Sequence, residues 1–282
     1  MLHIRMKLRP TAFCLALVLG STAALASTDA LEKAAASDHR TPAYAARDAY
    51  RNPVKTLALF DVHPDHTVVE IWPGGGWYTE ILAPYLRKQG KLIAAHYDDT
   101  DTQASYRPRS REAFEKKLAD NKRVYDKVEV ASLMFDEAEK TLAIGAAPAN
   151  SVDRVLTFRN AHGWRARGLE QAAFSHFFDV LKPGGKLGIV QHMADDGQDW
   201  MSKNIGYVGR DYIIAVASAA GFVLEAEGFF NQNPMDTKRY ENGVWQLPPN
   251  LRGLESEASK NQHRAIGESE RMTLLFVKPD VE

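Results

Sequence analysis

One stretch limits the fold more than any other. Thr67 to Trp72 is an apolar run of strand length, Pro73-Gly74-Gly75-Gly76 is a turn, and Trp77, Tyr78, Ile81, Leu82, Tyr85 and Leu86 then recur at helical spacing. A strand that enters a helix through a glycine turn is half of a βαβ unit, and the alternation continues downstream. Further strands are predicted over 91–96, 128–133, 152–158, 186–191, 222–230 and 272–277. Helices are predicted over 109–120, 169–181 and 209–220, and Gly221 suits the left-handed position that ends the last of them. Pro84 is expected to kink the first helix or tighten its end. Alternation over some 200 residues implies an α/β fold, with the seven predicted strands in a mostly parallel sheet and helices on both faces.

The first residues read differently. Arg5, Lys7 and Arg9 precede the apolar run Phe13–Leu19, and Ala24-Leu25-Ala26 offers small residues to a signal peptidase. This is the layout of a secretory signal over residues 1–26, too short to be a stable membrane span, and it predicts a periplasmic location. Removing it takes three of the 35 Lys and Arg, none of the 36 Asp and Glu, and Cys14, the only cysteine. What remains carries 32 basic against 36 acidic side chains, a net charge of −4. It has no thiol for a disulfide, a metal or nucleophilic catalysis, and no basic excess of the kind nucleic acid selects. Residues 27–52 predict a helical extension of one or two surface helices, with Thr41-Pro42 and Asn52-Pro53 as start signals. Residues 53–282 form the predicted main domain. It is interrupted by 231–270, a segment rich in Asn, Pro, Gly and charge that contains Tyr240 and Trp245 and is a candidate lid or acceptor wall.

In open α/β sheets ligands bind beyond the carboxyl ends of the strands, and four segments converge there. Glu70 and Gly74, Gly75 and Gly76 lie in the glycine turn, where backbone can approach a ligand closely. Asp98, after the second strand, could accept the hydroxyl protons of a ribose. Asp136, beside Phe135 after the third, suits an adenine and its amine, or a helix N-cap. Asn160 and His162 follow the fourth strand. His192 ends the fifth, and either histidine could serve as a base near neutral pH. His63 and His66 flank Pro64-Asp65 and read as a turn, so no metal site is expected.

These segments resemble class I S-adenosylmethionine-dependent methyltransferases. Asp153 to Asn160 is similar to the corresponding motif of quinone-biosynthesis C-methyltransferases. Leu181-Lys182-Pro183-Gly184-Gly185-Lys186-Leu187 is similar to the turn before the fifth strand in that superfamily. The Pro-Gly-Gly-Gly turn, the Leu82–Leu86 helix and the long late insert look most like exported bacterial predicted methyltransferases. The resemblance implies a Rossmann-like, seven-stranded sheet whose last strand is antiparallel, S-adenosylmethionine as cofactor, a small-molecule acceptor, and cofactor roles for Glu70, Gly74, Gly76 and Asp136. Trp72 stands where the superfamily has its first glycine, either crowding the methionine moiety or flanking the sulfonium as a cation–π partner. The ribose-binding acid aligns with His96, leaving Asp98 two residues on to substitute. The alternative from a different class is a methyltransferase-like fold that binds another ligand or partner without catalysis. A dinucleotide fingerprint is not present, because Gly74-x-Gly76-x-x-Thr79 lacks its third glycine.

Overall fold

The computed structural model describes residues 28–101, 104–136, 138–197 and 205–280. The signal-like segment 1–26 lies outside them. Among the described residues, none of the helices is long and apolar enough to cross a membrane.

The chain opens with four short helices, α1 (28–35), α2 (Pro42–Ala45), α3 (Asp48–Arg51) and α4 (Pro53–Leu59). Pro42 and Pro53 start helices as predicted, but neither preceding residue caps through its side chain. Thr41 Oγ1 donates to Glu80, and Asn52 Nδ2 donates to the Phe230 carbonyl. Tertiary bonds have replaced local capping. Nor is the extension a surface feature, since Leu31, Arg40 and Arg51 are buried.

Then follow β1 (Thr67–Ile71), α5 (Thr79–Leu86), β2 (Lys91–Tyr97), α6 (Tyr106–Asp120), α7 (Lys122–Tyr125), β3 (Val128–Asp136) and β4 (Thr141–Ile144). The second half comprises β5 (Val152–Phe158), α8 (Ala161–Arg165), α9 (Glu170–Val180), β6 (Leu181–His192), α10 (Arg210–Ala219), β7 (Val223–Gly228), α11 (Glu257–Ile266) and β8 (Arg271–Val277).

The strands form one sheet in the order β4-β3-β2-β1-β5-β6-β8-β7. The pairs β1–β2, β1–β5, β2–β3 and β5–β6 are parallel. The last strand is antiparallel to both β6 and β7, as expected. The sheet has eight strands rather than seven. The addition is β4, which folds back antiparallel on Leu133–Asp136. Four residues of Thr-Leu-Ala-Ile, with only Leu142 and Ile144 buried, were too short to register as a period-two pattern.

Both faces are covered. Val69, Ile71, Ile93 and Val155 pack against Trp164, Phe174 and Phe177 on one side. Val68, Leu92, Ala94 and Leu156 pack against Leu57, Ile81, Leu82 and Phe114 on the other. Successive strand residues thus reach opposite cores, the mark of a sheet buried on both sides. The insert is ordered. Its Asp236 accepts from the Tyr207 hydroxyl at 2.9 Å and from the Glu270 N–H at 2.8 Å.

Candidate functional site

The carboxyl ends of β1, β5 and β6 open into a cavity of about 300 Å³. Its floor is the glycine turn. Gly74 takes φ +57°, and a Cβ there would meet nothing within 4 Å, so the turn presents open space. Gly75 also lines the cavity, but a Cβ on it would fall onto the Tyr44 hydroxyl. Gly76, at φ +82°, faces Phe114 and is a structural glycine, not part of the cavity wall. This corrects its expected cofactor role: the third glycine makes room for a core ring.

Glu70 lines the cavity yet is buried, and Thr79 Oγ1 donates to its Oε2 at 2.6 Å. Burial pushes its carboxyl up to about 7, against the opposing pull of the Thr79 bond and the Lys117 charge. Asn160 lines the cavity too. Its amide donates to the Ile71 carbonyl at 2.8 Å and to Thr157 Oγ1 at 3.2 Å, which ties β1 to β5.

His162 and His192 both face this cavity, with ring centroids 6.0 Å apart. His192 Nδ1 lies 2.5 Å from Ser269 Oγ, and Gln191 Nε2 lies 3.4 Å from His162 Nδ1. Burial, and then the Arg159 charge, lower His162 to about 4 and His192 well below its ordinary value. Both rings are therefore neutral at pH 7.

Trp72 takes φ +44°, the left-handed backbone that a glycine would adopt there without strain. Its ring packs against Tyr97 at 5.0 Å, Phe135 at 5.3 Å and Trp164 at 5.8 Å. A second cavity, of about 320 Å³, lies at the ends of β2 and β3 and is lined by Asp98, Asp101, Phe135 and Arg167. The indole stands between the two. It lines the first cavity and touches the Phe135 that lines the second.

The predicted ribose acid, Asp98, thus belongs to a different cavity from Glu70. Its Oδ1 accepts from the Thr100 N–H at 2.8 Å and from the Thr100 hydroxyl, bonds that lower its pKa. His96, at the aligned position, is fully buried. Its Nδ1 accepts from the Tyr97 N–H, which leaves Nε2 to donate to the Gly74 carbonyl at 3.2 Å. It props the glycine turn from behind. Asp136 is exposed and lines neither cavity. Its Oδ1 accepts from the Ala138 and Glu139 N–H groups, so it caps the β3–β4 turn, and its expected place beside an adenine is corrected.

Sequence reasoning passed over the arginines. Arg47, Arg51 and Arg159 all line the first cavity. Glu268 is the carboxylate among them, bound by Arg47 at 2.5 Å, by Arg51 at 3.1 Å and by Arg271. No single helical face would have found them, since Tyr44 is in α2, Arg51 in α3 and Arg47 at the junction between the two. Trp245, from the insert, completes the wall 5.8 Å from the His162 ring, whereas Tyr240 packs on His263 instead. Among the described residues no three of His, Cys, Asp and Glu gather as metal ligands.

No family model and no curated protein sequence matches the chain. Solved structures do. A SAM-dependent methyltransferase from Aquifex aeolicus superposes with a TM-score of 0.52 at 15% identity, covering 89% of this chain and 98% of that one. A geranyl diphosphate methyltransferase in complex with SAM gives 0.52 at 12%, covering 88% and 94%. The [4+2]-cyclase SpnF gives 0.53 at 16%, covering 93% and 96%. The chain is a Rossmann-like α/β protein with the fold of SAM-dependent methyltransferases. At these identities the likeness concerns the fold, and one of the three bears the name of a cyclase.

Proposed function

We propose that this protein transfers a methyl group from S-adenosylmethionine to a small-molecule acceptor. The observation that carries the reading is the pair of cavities along the carboxyl ends of β1, β2, β3, β5 and β6, with the glycine turn beneath one and an acid beside an aromatic in the other. Glu70, Gly74 and Asn160 would hold the methionine end. Asp98 and Phe135 would hold the nucleoside end. The residues fit both ends of the cofactor, on one condition: the Trp72 indole must leave the space between them. Its three ring contacts are worth about 0.5–1.5 kcal/mol each beyond their area. Displacing it therefore weakens binding roughly ten- to thousandfold relative to a site with glycine there.

The cofactor would supply a sulfonium-activated methyl group, so the protein's work is alignment and proton handling. Neutral His162 or His192 can accept a proton from an acceptor hydroxyl or amine. Trp245 and Tyr78 exclude water from above the turn. The basic head, apolar run and small-residue site within residues 1–26 support export to the periplasm. N-terminal sequencing of the secreted form should begin at Ser27.

A second reading, a non-catalytic binding protein, is favoured by the indole between the cavities. Calorimetric titration with S-adenosylmethionine and S-adenosylhomocysteine separates them. Binding of either supports methyl transfer. No heat at millimolar ligand leaves the binding reading alone.

A further inference from the structure

The first cavity holds more positive charge than its acids balance. Arg47, Arg51 and Arg271 share Glu268, while the Arg159 guanidinium has no hydrogen-bond or ion-pair partner among the described residues. Arg47 Nη2 and Arg51 Nη2 are also buried without partners. Arg159 is half-buried, and a guanidinium left without a partner in a cavity wall is a ready site for a counter-charge that arrives from outside. Glu70 cannot fill that role well, because burial favours its neutral form. Besides Asn160, His162 and His192, the remaining walls carry flat aromatic rings. Tyr78 stacks on Phe158 at 3.5 Å, and Trp77 and Trp245 lie on either side under Arg51 and Arg252.

We infer that the acceptor is a flat organic acid whose carboxylate docks on Arg159, with Arg51 and Arg47 as flanking charges and the aromatic walls gripping its body. A guanidinium fork matches a carboxylate in two parallel hydrogen bonds. The acid would lie on the arginine wall of the cavity, beside the Glu70, Gly74 and Asn160 side assigned to the methionine end. The identity of the ligand as acceptor rests on the methyl-transfer reading. The carboxylate site itself does not.

The test is calorimetry on the full chain with benzoate, its neutral isostere benzamide, and inorganic phosphate, each with and without saturating S-adenosylhomocysteine. Benzoate should bind at least tenfold more tightly than benzamide and more tightly than phosphate. Its affinity should be unchanged by S-adenosylhomocysteine, and it should fall at least tenfold in Arg159→Met. Equal binding of benzoate and benzamide overturns the site. A preference for phosphate overturns the carboxylate assignment. Competition with S-adenosylhomocysteine overturns the acceptor assignment, because the arginines would then serve the donor's own carboxylate. Should Arg159→Met fail to fold, the benzoate-to-benzamide ratio on the unaltered chain decides alone. Benzoate binding without any S-adenosylhomocysteine binding removes the methyl-transfer reading and leaves the oxyanion site standing.

Discussion

At the scale of single residues, Trp72 is in conflict with its own backbone. A non-glycine residue at φ +44° carries strain of about 1–3 kcal/mol, which its aromatic neighbours hold in place. Trp72→Gly should relieve the strain and open the path between the cavities. Calorimetry should then show S-adenosylhomocysteine binding tightened at least tenfold, while urea denaturation shows stability lower by about 2–4 kcal/mol for the lost ring. Unchanged affinity would mean that the indole does not obstruct the ligand. Glu70 makes a separate prediction. Its folded pKa, about 7, lies above the ordinary carboxylate value, so its contribution is full in acid and is lost as pH rises through 7. Relative to Glu70→Gln, the unaltered protein should lose on the order of 3 kcal/mol between pH 4.5 and 7.5, read from urea midpoints. Glu70, Gly74, Asn160, His162 and His192 are read from their place at strand ends, and the fold brings all five to one cavity. Asp98 falls in the second cavity and Asp136 at a turn, because an acid at a strand's end serves a turn equally well.

Among elements, the segment ahead of β1 contributes most that the pattern of strands did not reveal. It is held by Glu80, a buried acid on α5. Glu80 accepts from the Thr41 N–H at 3.0 Å and the Thr41 hydroxyl at 2.6 Å, and it pairs with Lys117 at 2.7 Å and Arg40 at 3.7 Å. Trp77 Nε1 donates to the Tyr44 carbonyl, and Tyr44 sits over Gly75. Removing the charge takes the carboxylate from Lys117 and leaves Arg40 to Asp48 alone, so Glu80→Gln should cost about 3 kcal/mol. It should also speed proteolytic cleavage within 28–52 ahead of cleavage elsewhere. A variant cut at the rate of the unaltered protein would show that this acid is not what fastens the segment. Strands and long helices were legible because their hydrophobic periods are strong. The docking of this segment was not, because its determinants are polar pairs 39 residues apart.

At the scale of the whole molecule, the mostly parallel sheet covered on both faces follows from the rhythm of the sequence, while the composition of the cavity does not. Arg51 and Glu268 are 217 residues apart, and no local pattern links them. That pair sets an acid limit. Burial raises the Glu268 carboxyl, but Arg271, Arg51 and Arg47 outweigh it and hold it at about 2. A depressed folded pKa gives stability that is present above the ordinary carboxylate range and is lost as pH falls toward 2. Glu268→Gln should therefore lower stability at pH 7 by several kcal/mol and flatten the acid limb below pH 4. A variant whose acid limb matched that of the unaltered protein would assign the limb to other carboxylates.

The Glu268 clamp also has a temporal meaning. It joins α3, made early, to a residue just before β8, made last, so the arginine-walled chamber is absent from every shorter nascent chain. A ribosome-bound or translocating intermediate can assemble much of the parallel sheet, yet it has no complete chamber in which to capture a ligand. For the proposed carboxylate site, capture would begin in whichever compartment β8 docks.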